Sequence, residues 1–309
     1  MIHGSKKQLE TISPQEEAAL RETDFYVFTM GPRSPIRWSS ISKEKRQEVS
    51  VWLDTRYDRS AYARKWARAA KARRVKMLAI EATLATPERA KGLGLNYEMY
   101  RRVVFRGCRT DHNKLARRAK KLTKIMSRTG RVRVTSAAGT QLSFDLDRRP
   151  VGVSDGISTD EMAESGRIVF LPAGAIEVSI DEKSSQGRIV YDRPVKLSDT
   201  IINNLAVDLQ NGRIIRHTAA KGSHVVEQYL KKGGTDAGRL AFFGFGLNPD
   251  LKLGFTQDDK VLGGLTLGFG SNKSMGGQNV ANDQWWASIS RATLEIDDHL
   301  LLERGRLLI

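Results

Sequence analysis

The chain has 309 residues, 40% of them hydrophobic, with 51 Lys and Arg against 35 Asp and Glu. That length accommodates one large domain or two ordinary ones, each able to bury a core. A single cysteine, Cys108, excludes a disulfide framework and a thiolate zinc site. No apolar run reaches the roughly 18 residues of a membrane helix, and the opening MIHGSKKQLE lacks the apolar stretch of a secretory signal. A cytoplasmic protein with no membrane partner is expected.

The charge is unevenly placed. Residues 1–133 carry 32 Lys and Arg against 13 Asp and Glu, a net +19, while the remainder is net −3. Such asymmetry predicts an anionic partner for the N-terminal half, unless its basic helix faces are merely solvated.

Ser13-Pro14-Gln15-Glu16 reads as a capping box opening a helix to about Arg21. Phe25 to Met30 is a continuous apolar run and predicts a buried strand, broken by Gly31 to Pro35. A helix is expected over Arg59 to Arg74, with Tyr62, Trp66, Ala69 and Ala70 on its apolar face. Lys76 to Ile80 follows as another buried strand. Strand, helix and strand in this order predict a small parallel α/β layer.

Asn96 can cap a helix to about Phe105 with Met99 and Val103 inward, and Asp111 can start another to Met126. The second has an apolar stripe of Leu115, Ala119, Leu122 and Ile125 or Met126. Its outer face is the densest basic surface in the sequence, and Lys114, Arg117, Arg118, Lys121 and Lys124 are the candidate anionic-partner residues. Lys120 belongs to the same face. Without interleaved aromatics or a nucleic-acid motif, RNA or DNA is the less favoured partner.

From Arg131 the pattern changes to period two. Arg131–Ser136 and Gln141–Leu146 predict a hairpin, and short strands are expected near 167–171, 175–180 and 188–191. Asn211-Gly212 marks a type I′ hairpin. Ser223 is expected to cap a helix from His224 to Leu230 ending at Gly233-Gly234. Leu294–Ile296 and Leu300–Leu302 flank a turn at Asp297-Asp298.

Between Arg239 and Ile289, short apolar strands alternate with Gly, Asn and Asp turns. The landmarks are Phe243-Gly244-Phe245-Gly246-Leu247-Asn248-Pro249, then Asp258-Asp259-Lys260, Gly268-Phe269-Gly270-Ser271-Asn272, Gly276-Gly277-Gln278-Asn279 and Asn282-Asp283-Gln284-Trp285-Trp286. Upstream stand Gly139-Thr140-Gln141-Leu142, Leu171-Pro172-Ala173-Gly174-Ala175 and Gly187-Arg188-Ile189-Val190-Tyr191-Asp192. This succession resembles the M29 aminopeptidase family (aminopeptidase T and the thermophilic leucyl aminopeptidases), whose fold is also used by 2,5-dihydroxypyridine dioxygenase. The resemblance is good from about Arg131 to Ile309 and faint before.

The resemblance implies a metal site whose ligands are missing. At the positions where that family places carboxylates, imidazoles and a tyrosine stand Ala175, Phe242, Thr266, Asn272, Gln284 and Trp286. No histidine lies between His224 and His299. Phenyl and indole rings do not coordinate such ions, so no metal and no cofactor is expected. Glu177, two residues beyond Ala175, could supply one carboxylate to the same strand face. Elsewhere His3, His112, His217, His224 and His299 show no ligand spacing. Ser184, Ser185, Ser271 and Ser274 lack an identifiable base, and there is no P-loop.

The expected fold class is therefore an incomplete α/β N-terminal domain over 1–130, with a small parallel sheet and helices, followed by an aminopeptidase-like, strand-rich α+β domain over 131–309. The N-terminal domain looks shortened relative to the family, and the resemblance implies a homodimer. The expected function is a non-catalytic peptide-binding protein, a pseudo-aminopeptidase with Phe242, Phe245, Asn248, Thr266, Asn279, Gln284, Trp285 and Trp286 lining a peptide cleft. Presentation of a precursor or leader peptide to modifying enzymes of peptide natural-product biosynthesis is one setting. The alternatives are aromatics that only fill the vacated cavity, and a hydrolase or cyclase with a relocated metal or a metal-independent mechanism. For the enzyme, Glu177, Asp258, Asp259 or His224 would have to converge in the cleft.

Overall fold

The computed structural model describes residues 11–29, 42, 44–45, 61–81, 85–197, 200–255 and 257–309. The chain forms two compact units, Met1–Gly92 with Gly156–Leu171, and Leu93–Asp155 with Pro172–Ile309. This division does not follow the charge step near residue 130. The two helices that precede that step belong to the strand-rich unit, because their apolar stripes pack within it.

In the first unit, helix α1 (Pro14–Arg21) opens with the expected capping box. Ser13 Oγ accepts the Glu16 N–H at 3.2 Å, and Glu16 Oε2 accepts the Ser13 N–H at 2.8 Å. Strand β1 (Phe25–Thr29), helix α2 (Ala61–Ala72), strand β2 (Lys76–Ile80) and helix α3 (Pro87–Gly92) follow. After residue 156 the chain adds α6 (Asp160–Ser165) and β6 (Ile168–Leu171) to the same unit. The three strands pair in parallel in the order β1-β2-β6. Leu20, Ala70, Val75 and Met77 form the core, with Phe28, Trp66, Ala69 and Ile168 packed against it.

The expectation of a buried first strand is corrected. Phe25, Tyr26 and Val27 are 47%, 38% and 49% exposed. Strand β1 is the sheet edge, with one described partner instead of two, so its apolar run is only half covered. The expected break at Gly31–Pro35 and the side chain of Tyr62 lie outside the described residues.

In the second unit, α4 (Tyr97–Cys108) and α5 (His112–Met126) carry the caps that the sequence suggests. Asn96 Oδ1 accepts the Met99 N–H at 3.0 Å, and Asp111 Oδ1 accepts the Lys114 N–H at 2.9 Å. Leu115, Ala119, Leu122 and Met126 of α5 are buried as expected. Met99 is not inward: it is half exposed, because the buried stripe of α4 runs through Tyr100, Val103, Val104 and Gly107.

The strands form two large sheets. The first contains β3 (Thr129–Thr135), β4 (Gln141–Asp147), β8 (Gln186–Val190), β11 (Ala206–Gln210), β12 (Arg213–Thr218), β16 (Thr293–Ile296), β17 (His299–Glu303) and β18 (Arg306–Leu307). Their order is β12-β11-β8-β4-β3-β16-β17-β18. The second contains β5 (Val151–Ser154), β7 (Ala175–Ser179), β13 (Leu240–Gly246), β14 (Leu265–Gly270) and β15 (Gln284–Ile289) in the antiparallel order β15-β14-β13-β7-β5. A small hairpin of β9 (Val195–Leu197) and β10 (Thr200–Ile202) completes the strands.

The core of this unit lies between the two sheets. Phe144 of β4 meets Phe243 of β13 with ring centroids 5.1 Å apart, Phe243 meets Phe245 edge-on at 5.6 Å, and Phe269 stacks on Trp285 at 4.8 Å. The Asn211-Gly212 turn has φ of +50° and +79°, the double positive φ that a type I′ hairpin requires. One cap differs from expectation. Helix α7 (Ser223–Lys232) begins at Gly222 in the left-handed region without a side-chain cap, and Ser223 Oγ instead lies 3.3 Å from His217 Nδ1. Among the described residues, no helix is long and apolar enough to cross a membrane.

Candidate functional site

The outer face of the five-stranded sheet holds a pocket of about 220 Å³. Strand alternation builds it. Glu177 pairs with Gly244, Gly244 with Thr266, and Gly268 with Trp286, so alternate residues of β7, β13, β14 and β15 share one face. Ala175, Glu177, Phe242, Thr266, Gln284 and Trp286 line the pocket from the strands. Asp259 contributes from the short 3₁₀ turn Asp258–Lys260, and Ser274 and Met275 from the turn Lys273–Met275.

The local fits explain its shape. Gly268 lies beneath the Phe242 ring, and a Cβ there would collide with Cδ1, Cε1 and Cζ of that ring. Phe242 is consequently buried and forms the pocket wall, while Trp286 at the sheet edge is half exposed and forms its mouth. Glu177 runs between glycines of both neighbouring strands, Gly244 and Gly152. Burial pushes its carboxyl above the usual carboxylate range, Asp259 acts in the same direction, and Lys260 opposes them. Thr266 Oγ1 and Ser288 Oγ share a hydrogen bond at 2.8 Å. Gln284 Nε2 donates to the Ser271 carbonyl at 2.8 Å, which leaves its side-chain oxygen for the pocket.

Of the eight residues expected to bind a peptide, Phe242, Thr266, Gln284 and Trp286 meet here. The other four have different roles. Phe245 and Trp285 point to the opposite face, into the core between the sheets, and are 1% and 5% exposed. Trp285 is the neighbour of Trp286 in a strand, so the two cannot share a face. Asn248 is fully buried, with Nδ2 donating to the carbonyls of Gly107 at 2.9 Å and Ala173 at 2.7 Å and Oδ1 accepting the Asp250 N–H at 3.0 Å. Asn279 is also buried, its Nδ2 donating to the Gly270 carbonyl at 3.1 Å.

Asn272, at the position of the expected tyrosine, is likewise structural. Its Nδ2 reaches Ser179 Oγ at 2.6 Å, Glu182 Oε1 at 3.0 Å and the Ala241 carbonyl at 3.1 Å. Glu182 is the residue that sequence reasoning missed. It also accepts the Gln278 N–H at 2.7 Å, and its Oε2 lies 3.3 Å from Arg149 Nη2. This buried group holds the loop 271–279 that carries Ser274 and Met275 over the pocket. Nothing in the sequence pattern marks Glu182.

The carboxylates considered for an enzyme separate. Glu177 and Asp259 line the pocket. Asp258 Oδ1 instead accepts the Gly254 N–H at 2.7 Å, and its other oxygen lies 3.7 Å from Arg193 Nε. His224 sits in α7 and does not line the pocket. On α5, Lys114, Arg117, Lys121 and Lys124 are exposed as expected. Arg118 is instead partly buried, with Nη1 donating to the Leu247 carbonyl at 3.3 Å.

The fold and the pocket define a class: a two-unit α/β architecture whose five-stranded sheet presents a pocket of aromatic, amide and carboxylate side chains. The chain belongs to the family described as "NicX: 2,5-dihydroxypyridine 5,6-dioxygenase", whose model matches residues 106–309. Two solved structures share the fold. One is 2,5-dihydroxypyridine dioxygenase from Pseudomonas putida KT2440, with TM-score 0.61 and 16% identity, covering 99% of this chain and 98% of that one. The other is wild-type AmpT from Thermus thermophilus, with TM-score 0.63 and 14% identity, covering 99% of this chain and 83% of that one. Comparison with curated proteins gives no match. The aminopeptidase-like fold thus stands, while the family whose model matches is NicX and not M29.

Proteins of this architecture imply a metal ion, and the residues here do not fit one. The pocket offers two carboxylates, the Ser274 hydroxyl, a Thr266 hydroxyl already bonded to Ser288, and a glutamine oxygen. No group of three or more His, Cys, Asp and Glu placed to hold a metal ion occurs among the described residues.

Proposed function

We propose that the protein is a non-catalytic peptide-binding member of its family, which holds one apolar residue of a peptide where relatives of this fold hold metal. The carrying observation is the chemical make-up of the pocket: a Phe242 wall, a half-exposed Trp286 at the mouth, and Gln284 and Thr266 able to meet peptide amides. Its volume of about 220 Å³ lies below the ~300–1,000 Å³ of pockets for drug-sized ligands, so a single residue fits better than a folded segment. In this reading the protein presents a peptide to another enzyme and does not cleave it.

Titration of the protein with Leu-Gly and Phe-Gly, read by tryptophan fluorescence, tests this. Saturable binding is expected, weakened about tenfold by Trp286→Ala, which corresponds to ~1.4 kcal/mol. No saturation with either dipeptide, or equal affinity in the variant, would overturn it. A second reading, a metal-independent hydrolase, rests on the Glu177 and Asp259 carboxylates in the same pocket. Release of free leucine or phenylalanine in the same titration, lost in Glu177→Gln, would replace the first reading by this one.

A further inference from the structure

The opposite side of the five-stranded sheet carries a second concavity, between α5 and strand β5. It encloses about 370 Å³. Ala116, Ala119 and Val153 form an apolar floor, and Lys120 and Lys124 stand on one rim. Thr123 adds to the apolar surface, because its hydroxyl is turned away to donate to the Ala119 carbonyl at 2.9 Å. Asp155 closes one end and uses its backbone carbonyl to meet His112 Nδ1 at 2.9 Å. Val153 pairs with Ile176, the neighbour of Glu177, and so lies on the face away from the first pocket.

Three features of this groove are unusual together. Val153 is 40% exposed in the middle of a strand. Strand β5 ends its sheet, pairs with β7 alone among the described residues, and carries no charge of its own. Proteins normally protect such an edge with charge or cover it. Finally, α5 contains no acidic residue, and Lys114, Arg117, Lys120, Lys121 and Lys124 form no ion pair with any described residue.

We propose that the groove between α5 and the β5 edge docks an extended acidic segment of a partner protein. The edge of β5 that no described strand pairs accepts the backbone of the segment as an added strand. An apolar side chain seats on Ala116, Ala119 and Val153, and flanking carboxylates meet Lys120 and Lys124. Charge complementarity favours an acidic occupant and speeds its encounter. The alanine and valine floor has no aromatic ring on which a base could stack, which favours peptide over single-stranded nucleic acid.

A random linear-peptide library selected on the full chain, with depletion on the double variant Lys120→Glu, Lys124→Glu, tests this. Both lysines are exposed, and an unchanged unfolding midpoint checks that the variant is folded. Enriched peptides are expected to carry Asp or Glu around an apolar residue and, once synthesised, to bind the double variant at least about tenfold more weakly. Trp286→Ala should leave their affinity unchanged, which separates this site from the dipeptide pocket. Absence of enrichment, or enrichment without acidic residues, overturns the proposal. Binding of oligothymidylate that the double substitution abolishes, with no peptide enriched, overturns it in favour of nucleic acid.

Discussion

Phe242 and Gly268 act as one unit. A phenyl ring can lie across β14 only where the facing residue has no side chain, and the ring then forms one wall of the pocket. Glu177 is the polar counterpart within the same pocket. Burial holds its carboxyl above the usual range, so the folded chain keeps a proton that the unfolded chain releases. The stability linked to this group is therefore full below the usual carboxylate pKa and is lost as pH rises through the folded value. Glu177→Gln removes the titration. Urea unfolding should find the variant more stable than the parent near neutral pH and equal to it in acid. A difference that does not change across that range would contradict this assignment.

At this scale, motif positions in the family resemblance brought together residues that line one pocket, but did not give the orientation of each side chain. Ala175, Phe242, Thr266, Gln284 and Trp286 fall on one face because they occupy alternate positions in four strands. Phe245 and Trp285 were expected beside them, yet an odd offset from Phe242 and Trp286 sends them into the core. Asn248 and Asn279 present a different difficulty. An amide suited to a peptide is equally suited to backbone carbonyls in a tight loop, and only the buried geometry decides between them.

Among the elements, those bounded by local signals were legible. The capping box at Ser13, the caps at Asn96 and Asp111 and the Asn211-Gly212 turn depend on neighbouring residues, and each occurs where the sequence places it. Strand β1 depends on what covers it, and its apolar run gave no sign that it would be an edge. The loop 271–279 is held through contacts far apart in sequence. Glu182 joins Asn272, Gln278 and Arg149, and both ionised groups are largely buried. Arg149 keeps Asp147 at 2.9 Å, but Glu182→Ala leaves the part-buried Gln278 N–H without its acceptor and should cost about 2 kcal/mol, measured by denaturant unfolding. The same substitution should loosen the loop and speed trypsin cleavage after Lys273, which is already exposed. A loss below about 1 kcal/mol with unchanged proteolysis would show that the loop is held by other contacts.

For the whole molecule, the two units and the fold shared with the dioxygenase and AmpT leave the chemistry to the pocket, since similarity at 16% and 14% identity carries the fold alone. The net +19 of residues 1–133 is spread over both units, because α4 and α5 belong to the strand-rich one. The central claim is the proposed one, that this sheet face takes an organic group and not a metal ion. Metal content of untagged protein by plasma mass spectrometry tests it most directly, on protein purified without chelator and again after exposure to zinc, iron and manganese. No stoichiometric ion is expected in either preparation. One tightly held transition ion per chain, lost on Glu177→Gln, would contradict the claim and place the pocket among metal-dependent enzymes.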